Sequence, residues 1–248
     1  SVVEESDVPE LRPGDRVLDI AYDGAFREFQ LRDPERLIPL SKDRPLEELL
    51  MSQPLGVVLH ACHKWPSVLG WSVAVIGQGT IGLFFTMQLR MQGAGPIITL
   101  DLEDGRLALG KRLGATHTIN PTTDDPMAAV MDLTGGQGAD MVVEAAGSAN
   151  LTMPEIERAL APGGRVVYLG RTGERAPLML DALVDRAAAV VGARGHAGGG
   201  CFPSILRLMD RGRLNLSPMI STRLPLSEAP EALVRSTSRK DAKIILVA

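Results

Sequence analysis

The stretch Ser72-Val73-Ala74-Val75-Ile76-Gly77-Gln78-Gly79-Thr80-Ile81-Gly82 decides the fold, together with Asp101 at the end of the next apolar run. A Gly-x-Gly-x-x-Gly string carries little weight alone among 26 glycines, but its surroundings give it meaning. It follows a β-branched apolar run directly and opens the apolar segment Ile81 to Gln92, which reads as a helix. Gly77 permits the sharp turn, Gly79 lets backbone N–H groups approach a pyrophosphate, and Gly82 lets helix and strand pack closely. The helix N-terminus adds unsatisfied donors and partial positive charge, with Thr80 and Ile81 in its first turn. Asp101 lies about 20 residues beyond the turn, where a carboxylate accepts from both ribose hydroxyls. No Arg or Lys follows it before Arg106, so the pattern favours NAD over NADP, whose 2′-phosphate would face that charge. A methyltransferase also places an acid after its second strand, but without the three-glycine spacing.

Outward from this turn, strands and helices alternate as a parallel sheet with crossover helices requires. Strands are expected at 73–76, 97–100, 116–119, 141–144, 165–169 and 188–191, and helices at 81–92, 103–113, 126–133, 152–160 and 178–185. Six strands with right-handed crossovers make a doubly wound Rossmann sheet of two mononucleotide-binding halves. Residues 1–50 differ: short β-type runs at 16–20 and 25–31 are punctuated by Arg12-Pro13-Gly14-Asp15 and Asp33-Pro34. Past the Gly-rich stretch 197–200, helices are expected at 202–211 and 228–236 and a last strand at 243–247. The fold class is α/β with a smaller β-rich part.

Composition narrows the function classes. A net charge of -4 and pI near 5.6 give no basis for a nucleic-acid or anionic-membrane partner, leaving a small-molecule substrate. Cys62 and Cys201 match no zinc-finger, Cys-x-x-Cys or secreted disulfide spacing, so the expectation is a reducing cytoplasm. Residues 1–11 do not read as a signal or transit peptide, and no apolar run is long enough to span a bilayer.

The motifs in order resemble the medium-chain dehydrogenase/reductase superfamily, in its zinc-type alcohol and polyol dehydrogenase branch. They are Leu11-Arg12-Pro13-Gly14-Asp15-Arg16-Val17, Gly24 to Phe29, Gln53-Pro54-Leu55, Leu59-His60-Ala61, Val75 to Gly82, Leu113-Gly114-Ala115, Gly138-Ala139-Asp140, Glu144-Ala145-Ala146-Gly147 and Pro162-Gly163-Gly164. The resemblance implies a GroES-like catalytic part from residues 1–53 and 194–248, reduced here, around a Rossmann domain at 54–193. It further implies a homodimer or homotetramer. It carries cofactor roles onto Arg106 at the adenosine ribose, Ala146 and Gly147 beneath the cofactor, Leu169, Gly170 and Arg171 beside the nicotinamide, and Lys243 at the pyrophosphate.

The departures bear on metal. The family's zinc-ligating Cys and Gly-His-Glu would precede Ser1 and are not in this sequence; the Glu of its Glu-Pro pair is Gln53, a poor zinc ligand; and the four-cysteine zinc loop expected between Arg16 and Gly24 is missing. Zinc is therefore not supported by this chain. In His60-Ala61-Cys62-His63 the positions do not converge on one helix face, so a metal role is disfavoured there. His60 as a cleft-facing polar group and His196 as a proton carrier are the catalytic candidates.

Three readings follow. The first is an NAD-dependent oxidoreductase moving hydride between nicotinamide and a secondary alcohol or ketone. The second is a catalytically inactive NAD-binding partner or regulator. The third is a zinc-independent quinone- or enoyl-type reductase.

Overall fold

The computed structural model describes residues 1–20, 24, 26–195 and 201–247. In chain order the elements are β1 (Val17–Asp19), β2 (Leu37–Pro39), α1 (Leu46–Leu50), α2 (Ser52–Cys62), β3 (Val73–Ile76), α3 (Thr80–Met91), β4 (Ile97–Leu100), α4 (Asp104–Leu113), β5 (His117–Ile119), α5 (Pro126–Leu133), β6 (Ala139–Glu144), α6 (Ala149–Ala159), β7 (Leu160–Tyr168), α7 (Leu180–Arg186), β8 (Ala189–Gly192), α8 (Phe202–Asp210), β9 (Thr222–Pro225), α9 (Ala229–Thr237) and β10 (Ile244–Val247). They fall into two compact units. One comprises residues 1–60, 195–238 and 243–248; the other comprises 61–194 and 239–242.

Among its described residues the first unit has two small sheets, an antiparallel pair β1–β2 and a parallel pair β9–β10. Buried side chains of α1, α2 and α8 form its core, among them Leu49, Leu55, Phe202, Ile205 and Met209. Phe202 packs so closely on α2 that a Cβ at Gly56 would lie 2.9 Å from its ring. Glu48 ties distant parts of this unit together: buried on α1, it accepts from the Leu216 N–H at 3.0 Å and pairs with Arg44. The run at 26–31 does not form the expected strand. Its apolar side chains are exposed, Leu31 at 95%, and Gln30 and Arg32 turn to donate to the Asp19 carboxylate instead of pairing through the backbone.

The second unit is a six-stranded parallel sheet in the order β5-β4-β3-β6-β7-β8. Its central strands are apolar on both faces, as helices on both sides demand: all four residues of β3 and of β4 are buried. On one face Ala74, Ile98, Leu100, Val142 and Val166 meet Met127 and Val130 of α5 and Met153 and Ile156 of α6. Strand β3 pairs with both β4 and β6, so the order reverses there, the point at whose carboxyl ends a doubly wound sheet binds its ligands. β7 starts earlier than its apolar run suggests. Leu160 pairs with Ala139 before Pro162-Gly163-Gly164 interrupts the ladder, which resumes at Arg165 opposite Met141. Among the described residues no helix is long and apolar enough to cross a membrane.

Candidate functional site

The glycine turn lies at the carboxyl end of β3 in the second unit. Gly77 takes φ +88°, and a Cβ there would sit 2.7 Å from the Ala146 backbone, so only glycine fits. A Cβ at Gly82 would fall 1.7 Å from the Gly77 carbonyl oxygen, which is how closely α3 approaches the turn. Gly79 is different: it is the N-cap of α3 in extended backbone, and a Cβ there would meet only Arg106 Nη1, at 3.8 Å. That open space in front of the first-turn amides of Thr80 and Ile81 is what an incoming phosphate needs.

Asp101, which follows β4, is nearly buried and faces the turn. Its Oδ2 accepts from the Gln78 N–H at 2.6 Å, and its Oδ1 accepts from the Glu103 N–H at 2.9 Å. Arg106 on α4 reaches within 4.0 Å of the same carboxylate and donates to the Asp241 carbonyl at 2.9 Å, while its buried Nε has no partner. Thr80 Oγ1 donates to the Ala242 carbonyl at 2.5 Å. The short segment 239–242 is thereby fastened beside the phosphate turn within this unit.

At the neighbouring strand ends, Ala145 N–H donates to the Ile76 carbonyl, which anchors the turn holding Ala146 and Gly147 (φ +73°). Leu169 and Gly170 both donate to the Glu144 carbonyl. The structure therefore brings Gly77, Gly79, Thr80, Ile81, Gly82, Asp101, Arg106, Ala146, Gly147, Leu169, Gly170 and Arg171 into one unit along the carboxyl edge of its sheet. Lys243 and His60 belong to the first unit; His60 is half-buried on α2, and burial pushes the Lys243 ammonium below its ordinary range. His196 lies outside the described residues.

Two features of this region have no counterpart among the candidates read from sequence. Gln78 turns its side chain inward, fully buried, where Thr86 Oγ1 donates to its Oε1 at 3.1 Å; a Cβ at Gly110 would clash with it at 2.7 Å. Nothing local in the sequence signals that orientation. The other is Glu144, a buried acid whose signal was available: it closes the apolar strand Met141-Val142-Val143 with a single charge.

At the position of the Glu-Pro glutamate noted above stands Gln53, a half-buried amide on α2.

Comparison with known proteins agrees with the geometry. The family described as zinc-binding dehydrogenase matches residues 80–211, more than half of the chain. Scyllo-inosose 3-dehydrogenase of Thermotoga maritima is 35% identical over 175 residues, 69% of this chain and 44% of that protein. L-threonine 3-dehydrogenase of Bacillus velezensis is 31% identical over 238 residues, 94% of this chain and 67% of that protein. The crystal structure of an alcohol dehydrogenase from Thermotoga maritima superposes with a TM-score of 0.76 at 30% identity, over 85% of this chain and 59% of that one. The chain thus spans about half to two thirds of the length of the curated relatives it matches. With the ordered glycine turn, the six-stranded parallel sheet and these matches together, the chain belongs to the zinc-binding dehydrogenases, the zinc-type branch of the medium-chain dehydrogenase superfamily.

Proposed function

We propose that the chain holds NAD and acts in hydride transfer between its nicotinamide and a secondary alcohol or the corresponding ketone. The observation that carries this reading is the Asp101 carboxylate, held at the tip of β4 by the Gln78 N–H of the phosphate turn itself. A diol, such as the 2′,3′-hydroxyls of a ribose, can donate to such a carboxylate, whereas a 2′-phosphate would bring like charge against it. The open face of Gly79 and the α3 amides suit a pyrophosphate, and the unpartnered Arg106 Nε offers a further donor at the ribose side. Bound nicotinamide supplies the hydride acceptor or donor. The protein's part is to orient that ring over the turns at Ala146–Gly147 and Leu169–Arg171. The names of the matched relatives, all dehydrogenases, support the same chemistry.

A second reading is an NAD-binding partner without turnover of its own, favoured by the neutral Gln53 amide where the resemblance places a metal-ligating Glu. Calorimetric titration with NADH and NADPH, paired with a turnover assay on secondary alcohols, separates the two. Binding with turnover supports the dehydrogenase, binding without turnover supports the partner, and no binding of either nucleotide refutes both.

We further propose assembly as a homodimer or homotetramer. β8 is the last strand of the sheet and pairs only with β7 among the described residues, while Val190 on it and Leu180 and Val184 on α7 are exposed. An unpaired edge strand beside exposed apolar groups suits pairing with a second copy.

A further inference from the structure

Glu144 ends β6 with its whole residue buried, on the sheet face shared by Val142 and Val166. Its register partners are Ile76 on β3 and Tyr168 on β7. Its Oε1 accepts from the Ser148 N–H and the Thr152 hydroxyl, both at 3.4 Å, at the start of α6. Its Oε2 has no partner. That atom lies against the turn after β7: a Cβ at Gly170 would be 2.4 Å from Glu144 Oε2 and 2.4 Å from the Gly147 nitrogen. The main chain repeats the link, since the Glu144 carbonyl accepts from Leu169 at 3.1 Å and from Gly170 at 3.0 Å. One residue therefore fastens two turns to each other, and in the reading above those two turns carry the nicotinamide.

We propose that Glu144 is a positioning residue for the nicotinamide half of the cofactor site, setting the spacing between the turn at 145–148 and the turn at 169–171. This rests on the cofactor reading given above. The chemistry of the pocket agrees. No charged side chain compensates the carboxyl; the groups around it are the Ser148 N–H and the Thr152 hydroxyl on the α6 side, Ile76 from β3, the Tyr168 phenol on β7 as the titratable group of the adjoining strand, and the backbone of Ala146, Gly147 and Gly170. Burial pushes the carboxyl above the ordinary glutamate range, and the surrounding hydrogen bonds offset that only in part. The neutral form is favoured relative to an exposed glutamate, and Oε2 is the oxygen without a hydrogen-bond partner. Ionisation would place a buried charge without a counter-ion between the two turns, at a desolvation cost that disfavours this arrangement of them.

The test compares two ligands on the 248-residue chain. NADH reports on the whole site, and ADP-ribose, which lacks nicotinamide, reports on the phosphate turn and Asp101 alone. In E144A the NADH affinity falls roughly tenfold, the scale expected when buried donors lose their acceptor, while ADP-ribose binding stays as in wild type. In E144Q, which keeps the shape and cannot ionise, NADH binds as in wild type at low pH and lacks the wild-type loss of affinity as pH rises. Equal losses for NADH and ADP-ribose in E144A would mean a general disturbance of the fold and overturn the positioning role. So would an E144Q pH profile that follows wild type, which also decides the matter should E144A fail to fold. A wild-type chain that binds neither ligand would instead remove the cofactor reading itself.

Discussion

Two neighbouring glycines of one turn are expected to fail in different ways when replaced by alanine. At Gly82 the added methyl would lie 1.7 Å from the Gly77 carbonyl oxygen and 2.9 Å from its carbon. Neither side yields easily. Gly77 is tied by its N–H to the Leu100 carbonyl at 2.8 Å and abuts Ala146, and α3 is packed through Leu83, Phe84, Phe85 and Leu89, all fully buried. Forcing a carbon into that contact costs about 3 kcal/mol, the upper end for overpacking, because the obstacle is backbone. The expected fall in melting temperature is about 6–12 °C. At Gly79 the methyl meets nothing closer than Arg106 Nη1 at 3.8 Å, and the backbone there is one that alanine adopts freely. G79A should therefore melt at or slightly above the wild-type temperature, by the loss of unfolded-state freedom. Its methyl nevertheless occupies the space in front of the α3 amides, so NADH affinity should fall about 100-fold, the equivalent of two lost charge-assisted hydrogen bonds. Trp65 and Trp71, the protein's two tryptophans, both lie in the second unit, so their fluorescence follows the melting of that unit and reports NADH binding to it. An unchanged NADH affinity in G79A, or a wild-type melting temperature in G82A, would refute the reasoning.

Other expectations concern stability and assembly. Because Glu144 has a folded-state value above its unfolded one, the stability it contributes is complete at low pH and is lost as pH rises through the folded value. E144Q should accordingly melt closest to wild type at low pH and increasingly above it as pH rises, read by tryptophan fluorescence; a constant offset would count against a raised folded-state value. Asp140 Oδ2 accepts from both the backbone N–H and the hydroxyl of Ser72, each at 2.8 Å, and so pins the starts of β3 and β6. D140A should cost about 1–3 kcal/mol by chemical denaturation with NADH affinity preserved, since this contact lies at the opposite end of the sheet from the phosphate turn. Sedimentation of V190K should show loss of the wild-type oligomer, whereas retention of the assembly would rule out pairing through β8.

Where sequence and structure agree, the cause is periodicity and local chemistry. β3 and β4 occupy the residues their apolar runs mark, because a strand buried on both faces has no polar position to blur its ends. α5 begins at Pro126, where Asp125 accepts from the N–H groups of Met127 and Ala128, a start signal written in adjacent residues. α6 begins earlier than its apolar pattern implies, at Ala149, because the Ser148 N–H and the Thr152 hydroxyl are drawn to Glu144 from β6, a tertiary contact no local window contains. The run at 26–31 was misleading for a related reason. β-type residues form a strand only beside a partner, and Gln30 and Arg32 engage Asp19 instead. In the candidate site, the glycine spacing and Asp101 were legible because they act through backbone geometry at fixed intervals. The inward turn of Gln78 and the fastening of 239–242 to Thr80 and Arg106 join residues far apart in the chain, and their types carry no mark of it.

The most direct measurement is calorimetric titration of the wild-type chain and D101A with NADH and NADPH. NADH should bind wild type at least about tenfold more tightly than NADPH, and removal of the carboxylate should weaken NADH and close the gap. Equal or tighter binding of NADPH by wild type, or a D101A variant with unchanged NADH affinity, would contradict the assignment of Asp101 to the ribose of NAD.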